Sequence, residues 1–388
     1  MGCGNGCSKD DPPAKKPERK TQPKEPNEDD TTSYKKLLFG PAFSEQELYN
    51  SDPLILNSDE IQQKIKEWDT LAQGKSIEEG LLQYYNTEPK EFLKKVKEGP
   101  PAKYRWTAWK IALNTNKLFK EGIYQSLITE EKKRTAKCLT SIKADINRTY
   151  PERFKGEQRE LKKPVIKSLE NVLVAISIYS PDVGYCQGMN FVIAFMLFVS
   201  DMKEEEVFWT FIAFIKDMLK HDPLGICGGE GLYNNNFPKM EYMMSCFDSM
   251  FSKIIPEVKN HIDKISFPNI LWVYKWVFVM FVLSFPFSYS IRFWDYILGH
   301  GLSGVLRLSL SIIMLIKEKL IGEDFSTIND IVNSFNEGKN LPSIEEIIET
   351  AEKIQIDSSM LPRNKVLPKP ENEPSTSNIH MLNSRNGK

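Results

Sequence analysis

The sequence predicts an all-α protein, a single large multi-helix domain between disordered N- and C-terminal tails. Three observations carry that prediction. Between Ser58 and Asp357 apolar residues recur at helical spacing in one segment after another, and no run alternates as a half-buried strand would. Hydrophobic residues make up 41% of the 388, ample for a core. Both ends are poor in apolar residues and rich in polar ones, a composition that cannot bury a core. Length alone suggests roughly two or three domains, and the polar ends reduce that to one body. The expected organisation is a tether over 1–33, a docking or linker segment over 34–57, the helical domain over 58–357 and a tail over 358–388.

Composition also excludes. The 51 Lys and Arg stand against 52 Asp and Glu, so no global basic field argues for nucleic acid. The four histidines (His221, His261, His300, His380) are scattered, which supports no metal and no His-based catalytic site. Six cysteines without paired spacing indicate a reducing compartment, and no apolar signal-peptide core opens the chain. A cytoplasmic protein is expected.

The chain begins M-G-C-G-N-G-C-S. Gly2 is the N-myristoylation position, and Cys3 and Cys7 are palmitoylation candidates, although Gly6 stands where Ser or Thr is preferred. One myristoyl chain holds a membrane only reversibly. The neighbouring cysteines and the basic Lys15, Lys16, Arg19, Lys20 and Lys24 would supply the second attachment. The rival reading, a Cys-x-x-x-Cys metal half-site, finds no nearby His or Cys to complete it. The expectation is a protein peripheral on the cytosolic face of a membrane. Residues 12–30 read as a disordered tether. Scattered apolar residues over 34–56 suffice to dock on a body but not to fold alone.

The helices follow in order. Ser58 caps the first, with Ile61, Ile65, Trp68 and Leu71 on one stripe and Glu60 in the first turn. A second, over 88–98, leads into Gly99-Pro100-Pro101, and Arg105, Trp106 and Trp109 open the next, the tryptophans as core packing. Lys132, Lys133, Arg134 and Lys137 form a basic cluster, read as a solvated helix face, the alternative being electrostatic steering of an acidic partner.

Residues 136–147 place Leu139, Ile142 and Ile146 on one helix face. Asp145 and Arg148 lie three apart, so the carboxylate can fix the direction of the guanidinium. Pro151 disfavours helical geometry at Tyr150, which leaves Arg148 at or beside a helix terminus. A helix over 164–180 is broken by Ser180-Pro181 and Gly184. Tyr185 to Asn190 then makes a fresh turn before the apolar run 191–199, which puts Gln187 on a stiff base. Cys186 reads as a small buried residue.

A helix over 203–219 precedes Gly225, Gly228, Gly229 and Gly231. No phosphate-loop motif accompanies those glycines, so they read as a loop and no bound nucleotide is expected. The apolar run 270–287 is barely long enough to span a membrane, is interrupted by Lys275 and carries Pro286, so a buried helix is expected. R-F-W-D at 292–295 is followed by a helix over 305–320. Ser343 and Glu346 form a capping box for a helix that reaches Gln355.

Three ordered motifs carry a family resemblance: Gly99-Pro100-Pro101 with Arg105 and Trp109 in R-x-x-x-W spacing; I-x-x-D-x-x-R-T-x-P from Ile142 to Pro151; and Y-x-Q-G-M-N from Tyr185 to Asn190. Together they resemble the TBC family, helical proteins that activate Rab GTPases. R-F-W-D at 292–295 is similar to the family's R-x-W-D segment, and a first helix bearing a tryptophan places the boundary near Ser58. The resemblance implies that Arg148 and Gln187 enter the nucleotide site of a GTP-bound Rab as arginine and glutamine fingers, with Asp145 and Tyr185 as supports. It also implies that Arg105 and Trp109 are structural. GTP and Mg²⁺ then belong to the partner, and the chain needs no cofactor of its own. It would be a GTPase activator in vesicle trafficking rather than an enzyme with a substrate of its own. A silent, membrane-tethered Rab-binding scaffold is the alternative, which intact Arg148 and Gln187 disfavour. A helical adaptor unrelated to GTPases is disfavoured by the three motifs.

Overall fold

The structure is a computed structural model; it describes residues 58–361 except 75, 151–161, 217–221, 227–230, 235 and 357. Among the described residues there are α-helices and short 3-10 turns and no strand. The first helices are α1 (Ser58–Leu71), α2 (Ile77–Thr87), α3 (Pro89–Lys97), α4 (Ala102–Ala112), α5 (Ile123–Leu127) and α6 (Glu130–Thr135). Next come α7 (Leu139–Ile146), α8 (Lys162–Tyr179), α9 (Met189–Ser200), α10 (Glu204–Ile215), α11 (Pro238–Ile254) and α12 (Pro256–Lys264). The last are α13 (Val273–Phe278), α14 (Phe287–His300), α15 (Gly304–Leu315), α16 (Lys317–Leu320), α17 (Phe325–Asn333) and α18 (Ile344–Lys353).

Local chemistry sets many of the boundaries. The Ser76 hydroxyl accepts from Glu79 N at the start of α2, with Glu78 and Glu79 against the positive end of the helix. Pro89, Pro238 and Pro256 open α3, α11 and α12, where a missing N–H costs nothing. The capping box at α18 is present in full. Glu346 N donates to Ser343 Oγ at 3.2 Å, and Ser343 N donates to Glu346 Oε2 at 2.9 Å.

The centre of the core is α9. Every residue of it except Phe191 is buried, because it runs between α8 and α10 on one side and the aromatic face of α14 on the other. Phe195 lies 5.4 Å from Trp294 and 6.0 Å from Trp109, ring centre to ring centre, which joins α9, α14 and α4. Burying one such ring contributes about 1.5–3 kcal/mol. Trp68 of α1 stacks on Tyr104 at 5.8 Å and so fastens the first helix to α4. On the far side α14 lies against α3, closely enough that a Cβ on Gly299 would sit 2.5 Å from the Leu93 carbonyl oxygen.

Two expectations need correction. The apolar run 270–287 is not one buried helix. It forms a 3-10 turn, Asn269–Leu271, then α13, and then reverses through Met280 (φ +49) and Phe281 (φ +67). Phe281 N donates to Trp276 O at 2.8 Å, closing the helix end that two successive left-handed residues require. The run is buried or half-buried except at the exposed Ile270, and no helix among the described residues is long and apolar enough to cross a membrane. The basic cluster before α7 is not a uniform solvated face either. Lys133 turns inward, 3.4 Å from Glu130 and 3.7 Å from Glu170, while Arg134 and Lys137 remain exposed. Just beyond Asp357 a short segment also packs on the helices. A 3-10 turn over Ser358–Met360 sits on α11, where Lys253 Nζ donates to Ser359 O at 2.7 Å.

Candidate functional site

The site forms where the end of α7 meets the turn before α9. The helix stops at Ile146. Arg148 N and Thr149 N donate back to Asp145 O and Ile146 O, and Tyr150 then adopts left-handed geometry at φ +45. A non-glycine residue there needs outside support. Tyr150 has it: the hydroxyl donates to Val282 O at 3.0 Å, and the ring meets Phe191 edge-on at 5.4 Å. Arg148 therefore leaves a held turn just beyond a helix C-terminus, where the dipole favours a cation.

Its guanidinium is fixed by one carboxylate oxygen. Nε and Nη2 of Arg148 donate to Asp145 Oδ1 at 2.9 and 2.6 Å. The Arg148 side chain keeps 57% of its surface in solvent, against 10% for Asp145. The cation is thus offered outward from a buried anchor. The other carboxylate oxygen, Oδ2, accepts the Tyr185 hydroxyl at 2.6 Å. Burial, then the hydrogen bond to Asp145, pushes the Tyr185 phenol well above its ordinary range, so it stays a donor.

A second path joins the same two segments. Thr149 Oγ1 donates to Asp145 O at 3.0 Å and accepts from Asn190 Nδ2 at 2.9 Å. Asn190 Oδ1 in turn accepts Gly188 N at 3.0 Å. Thr149 and Asn190 are almost fully buried, so these bonds form away from competing water and fix the loop. Sequence reasoning placed both in motifs but gave neither a role. The signal was available: a polar Asn at the head of an otherwise apolar helix has to find a partner.

Between Tyr185 and Gly188 the chain has no room to relax. Gly188 sits at φ +113, and a Cβ there would meet Phe278 Cε1 at 2.8 Å. Only glycine fits both demands. Gln187, held between these fixed residues, is exposed. Cys186 is half-buried, and burial, then the Asp145 carboxylate, pushes its thiol up, which keeps it a poor nucleophile.

Arg105 and Trp109 belong to another cluster. Arg105 Nε lies 3.2 Å from both oxygens of Asp295, Trp109 Nε1 donates to Oδ1 at 2.7 Å, and Arg292 Nη1 donates to Oδ2 at 3.0 Å. Asp295 is fully buried and Arg105 nearly so. This is a buried ion network between α4 and α14, in which desolvation drives the Arg105 guanidinium down and Asp295 opposes the shift. Through Trp109 against Phe195 it fixes α9, the helix that carries the Gln187 turn at its head. Gly2, Cys3 and Cys7 lie outside the described residues. No group of His, Cys, Asp and Glu among the described residues could hold a metal ion.

Comparison with known proteins identifies the family and the fold. A family model described as "Rab-GTPase-TBC domain" matches residues 102–321. The human "Ecotropic viral integration site 5 protein homolog" is 28% identical over 230 residues, 59% of this chain and 26% of that protein. The Saccharomyces cerevisiae "GTPase-activating protein GYP5" is 24% identical over 249 residues, 64% of this chain and 25% of that protein. The matched region thus spans about a quarter of the length of these relatives. The solved Chlamydomonas flagellar RabGAP TBC domain superposes with a TM-score of 0.57 at 19% identity, over 75% of this chain and 94% of that one. At that identity the likeness speaks for the fold.

Proposed function

The chain belongs to the Rab-GTPase-TBC domain family, and from that premise we propose that it accelerates GTP hydrolysis by a Rab-family GTPase, with Arg148 and Gln187 as the two groups it inserts. GTP hydrolysis is slow because charge on the γ-phosphate oxygens is poorly stabilised and the attacking water poorly oriented. Arg148 answers the first need with a planar, always-charged fork. Gln187 answers the second, since its side-chain amide can accept from the water and donate to the phosphate. GTP and Mg²⁺ remain the partner's. The chain completes a site and turns over no substrate of its own.

One observation carries this reading. A single buried carboxylate, Asp145, binds the exposed Arg148 through Oδ1 and the Gln187-bearing loop through Oδ2 and Tyr185. An exposed arginine paired only for stability would not need its anchor shared with a second exposed loop. Pre-positioning of this kind lowers the entropy that a transition-state contact otherwise costs. The test is phosphate release from a panel of GTP-loaded Rabs. Stimulation of at least one, in proportion to added protein, supports the proposal. Binding of a GTP-loaded Rab with no stimulation of any would make the chain a scaffold.

A further inference from the structure

The left-handed residues Met280 and Phe281 break the helical ladder, and three carbonyls around them accept from aromatic side chains instead. The Tyr233 hydroxyl donates to Phe278 O at 3.0 Å, Trp294 Nε1 to Met280 O at 3.1 Å and the Tyr150 hydroxyl to Val282 O at 3.0 Å. Tyr233, Trp294, Met280 and Val282 are all buried, so these bonds form away from competing water. The reversal also backs the Gln187 turn. A Cβ on Gly188 would meet Phe278 Cε1 at 2.8 Å and Val279 Cγ1 at 3.2 Å. One short segment, 278–282, thus meets the Arg148 turn through a hydrogen bond and the Gln187 turn through close packing. Neither contact involves Asp145.

We propose that Tyr150 is a positioning residue for the hydrolysis reaction, its hydroxyl registering the Arg148 turn against the segment that backs Gln187. The proposal rests on the activation reading above. Tyr150 sits at φ +45, where a glycine or asparagine is easier to place. A glycine would relieve the strain but bring no hydroxyl. Strained backbone held by its surroundings gathers at functional sites, and here it stands two residues from Arg148. The Tyr150 ring meets Phe191 edge-on at 5.4 Å and lies 6.1 Å from Phe198. Its hydroxyl is 3.0 Å from Val282 O and 3.4 Å from Phe191 O, and its single proton serves the nearer oxygen. Phe191 belongs to the first turn of α9, the helix that the Gln187 turn leads into. The Asp145 carboxylate directs the Arg148 side chain, and the Tyr150 hydroxyl sets where the backbone that carries it stands.

Single-turnover phosphate release from a GTP-loaded Rab that wild type activates, followed against protein concentration, separates the maximal rate from half-saturation. Tyr150→Phe keeps the ring and deletes the hydroxyl. Its maximal rate should fall about tenfold, the order of one lost hydrogen bond, with the half-saturating concentration unchanged. Tyr289→Phe is the control for stability. It deletes a phenol-to-carbonyl bond of the same kind, to Pro342 O at 2.9 Å, outside the two turns. It should keep the wild-type rate at a comparable loss of thermal midpoint. A wild-type maximal rate for Tyr150→Phe, or a rise in its half-saturating concentration alone, would overturn the proposal. Equal slowing by Tyr289→Phe would overturn it too, since the Tyr150 hydroxyl would then serve only the fold. In each of those cases wild type still activates, so the activation reading survives. A wild type that stimulates no Rab of the panel removes that reading, and this proposal with it.

Discussion

Tyr185 and Asp145 are 40 residues apart in the chain, yet the Tyr185 phenol donates to Asp145 Oδ2 across 2.6 Å while Oδ1 of the same carboxylate takes Arg148. One side chain therefore orients two exposed loops. Coupling of this kind predicts that damage to the anchor is felt in the rate, even though the anchor itself never reaches the partner.

Asp145→Asn keeps the shape and removes the charge that directs Arg148. The stimulated hydrolysis rate should fall on the order of 10²-fold, the cost of a misplaced reacting group, with binding of GTP-loaded Rab little changed. Tyr185→Phe should fall less. In the double variant the losses should be less than multiplicative, because both act through one carboxylate. A wild-type rate for Asp145→Asn would show that the contact serves only the fold.

Gln187→Ala should lower the stimulated rate about 10²-fold, the usual effect of deleting one transition-state hydrogen-bonding group. The loss should persist when the Rab's own water-orienting glutamine is replaced, because the amide from this chain then carries that role. Undiminished stimulation of such a mutant Rab by Gln187→Ala would mean that Gln187 only packs.

The anchor was legible in the sequence because it is local. Asp145 and Arg148 are one helical turn apart, and a proline after Tyr150 in the sequence disfavours helical geometry there. The capping box at Ser343 and Glu346 was legible for the same reason. What the sequence hid depends on side chains that meet only in three dimensions. Thr149 and Asn190 find each other across 41 residues. Lys133 turns inward because Glu170 of α8 is there to meet it. The reversal at Met280 and Phe281 is invisible to periodicity, since neither residue favours left-handed geometry and both are held by packing: Phe281 lies against Trp276, Phe285 and Phe293.

Gly188→Ala separates backbone strain from contact. Gly188 (φ +113) and Gly322 (φ +91) share positive φ, but a Cβ on Gly322 meets nothing within 4 Å while one on Gly188 strikes Phe278. Gly322→Ala should cost about 1–3 kcal/mol from strain alone. Gly188→Ala should cost more, and the urea midpoints of the two variants measure the difference. Equal midpoints would mean that Phe278 yields freely and does not hold the Gln187 turn.

The central claim rests on Arg148. The measurement is single-turnover phosphate release from a responsive GTP-loaded Rab with Arg148→Ala and Arg148→Lys, alongside Rab binding and the thermal midpoint of each variant. The account predicts that Arg148→Ala loses about 10³-fold or more in rate with the fold and binding preserved, since the side chain is largely in solvent and acts only in the transition state. Arg148→Lys should be nearly as poor, because an ammonium cannot present a planar fork. An Arg148→Ala variant that stimulated hydrolysis as fully as wild type would contradict the account outright.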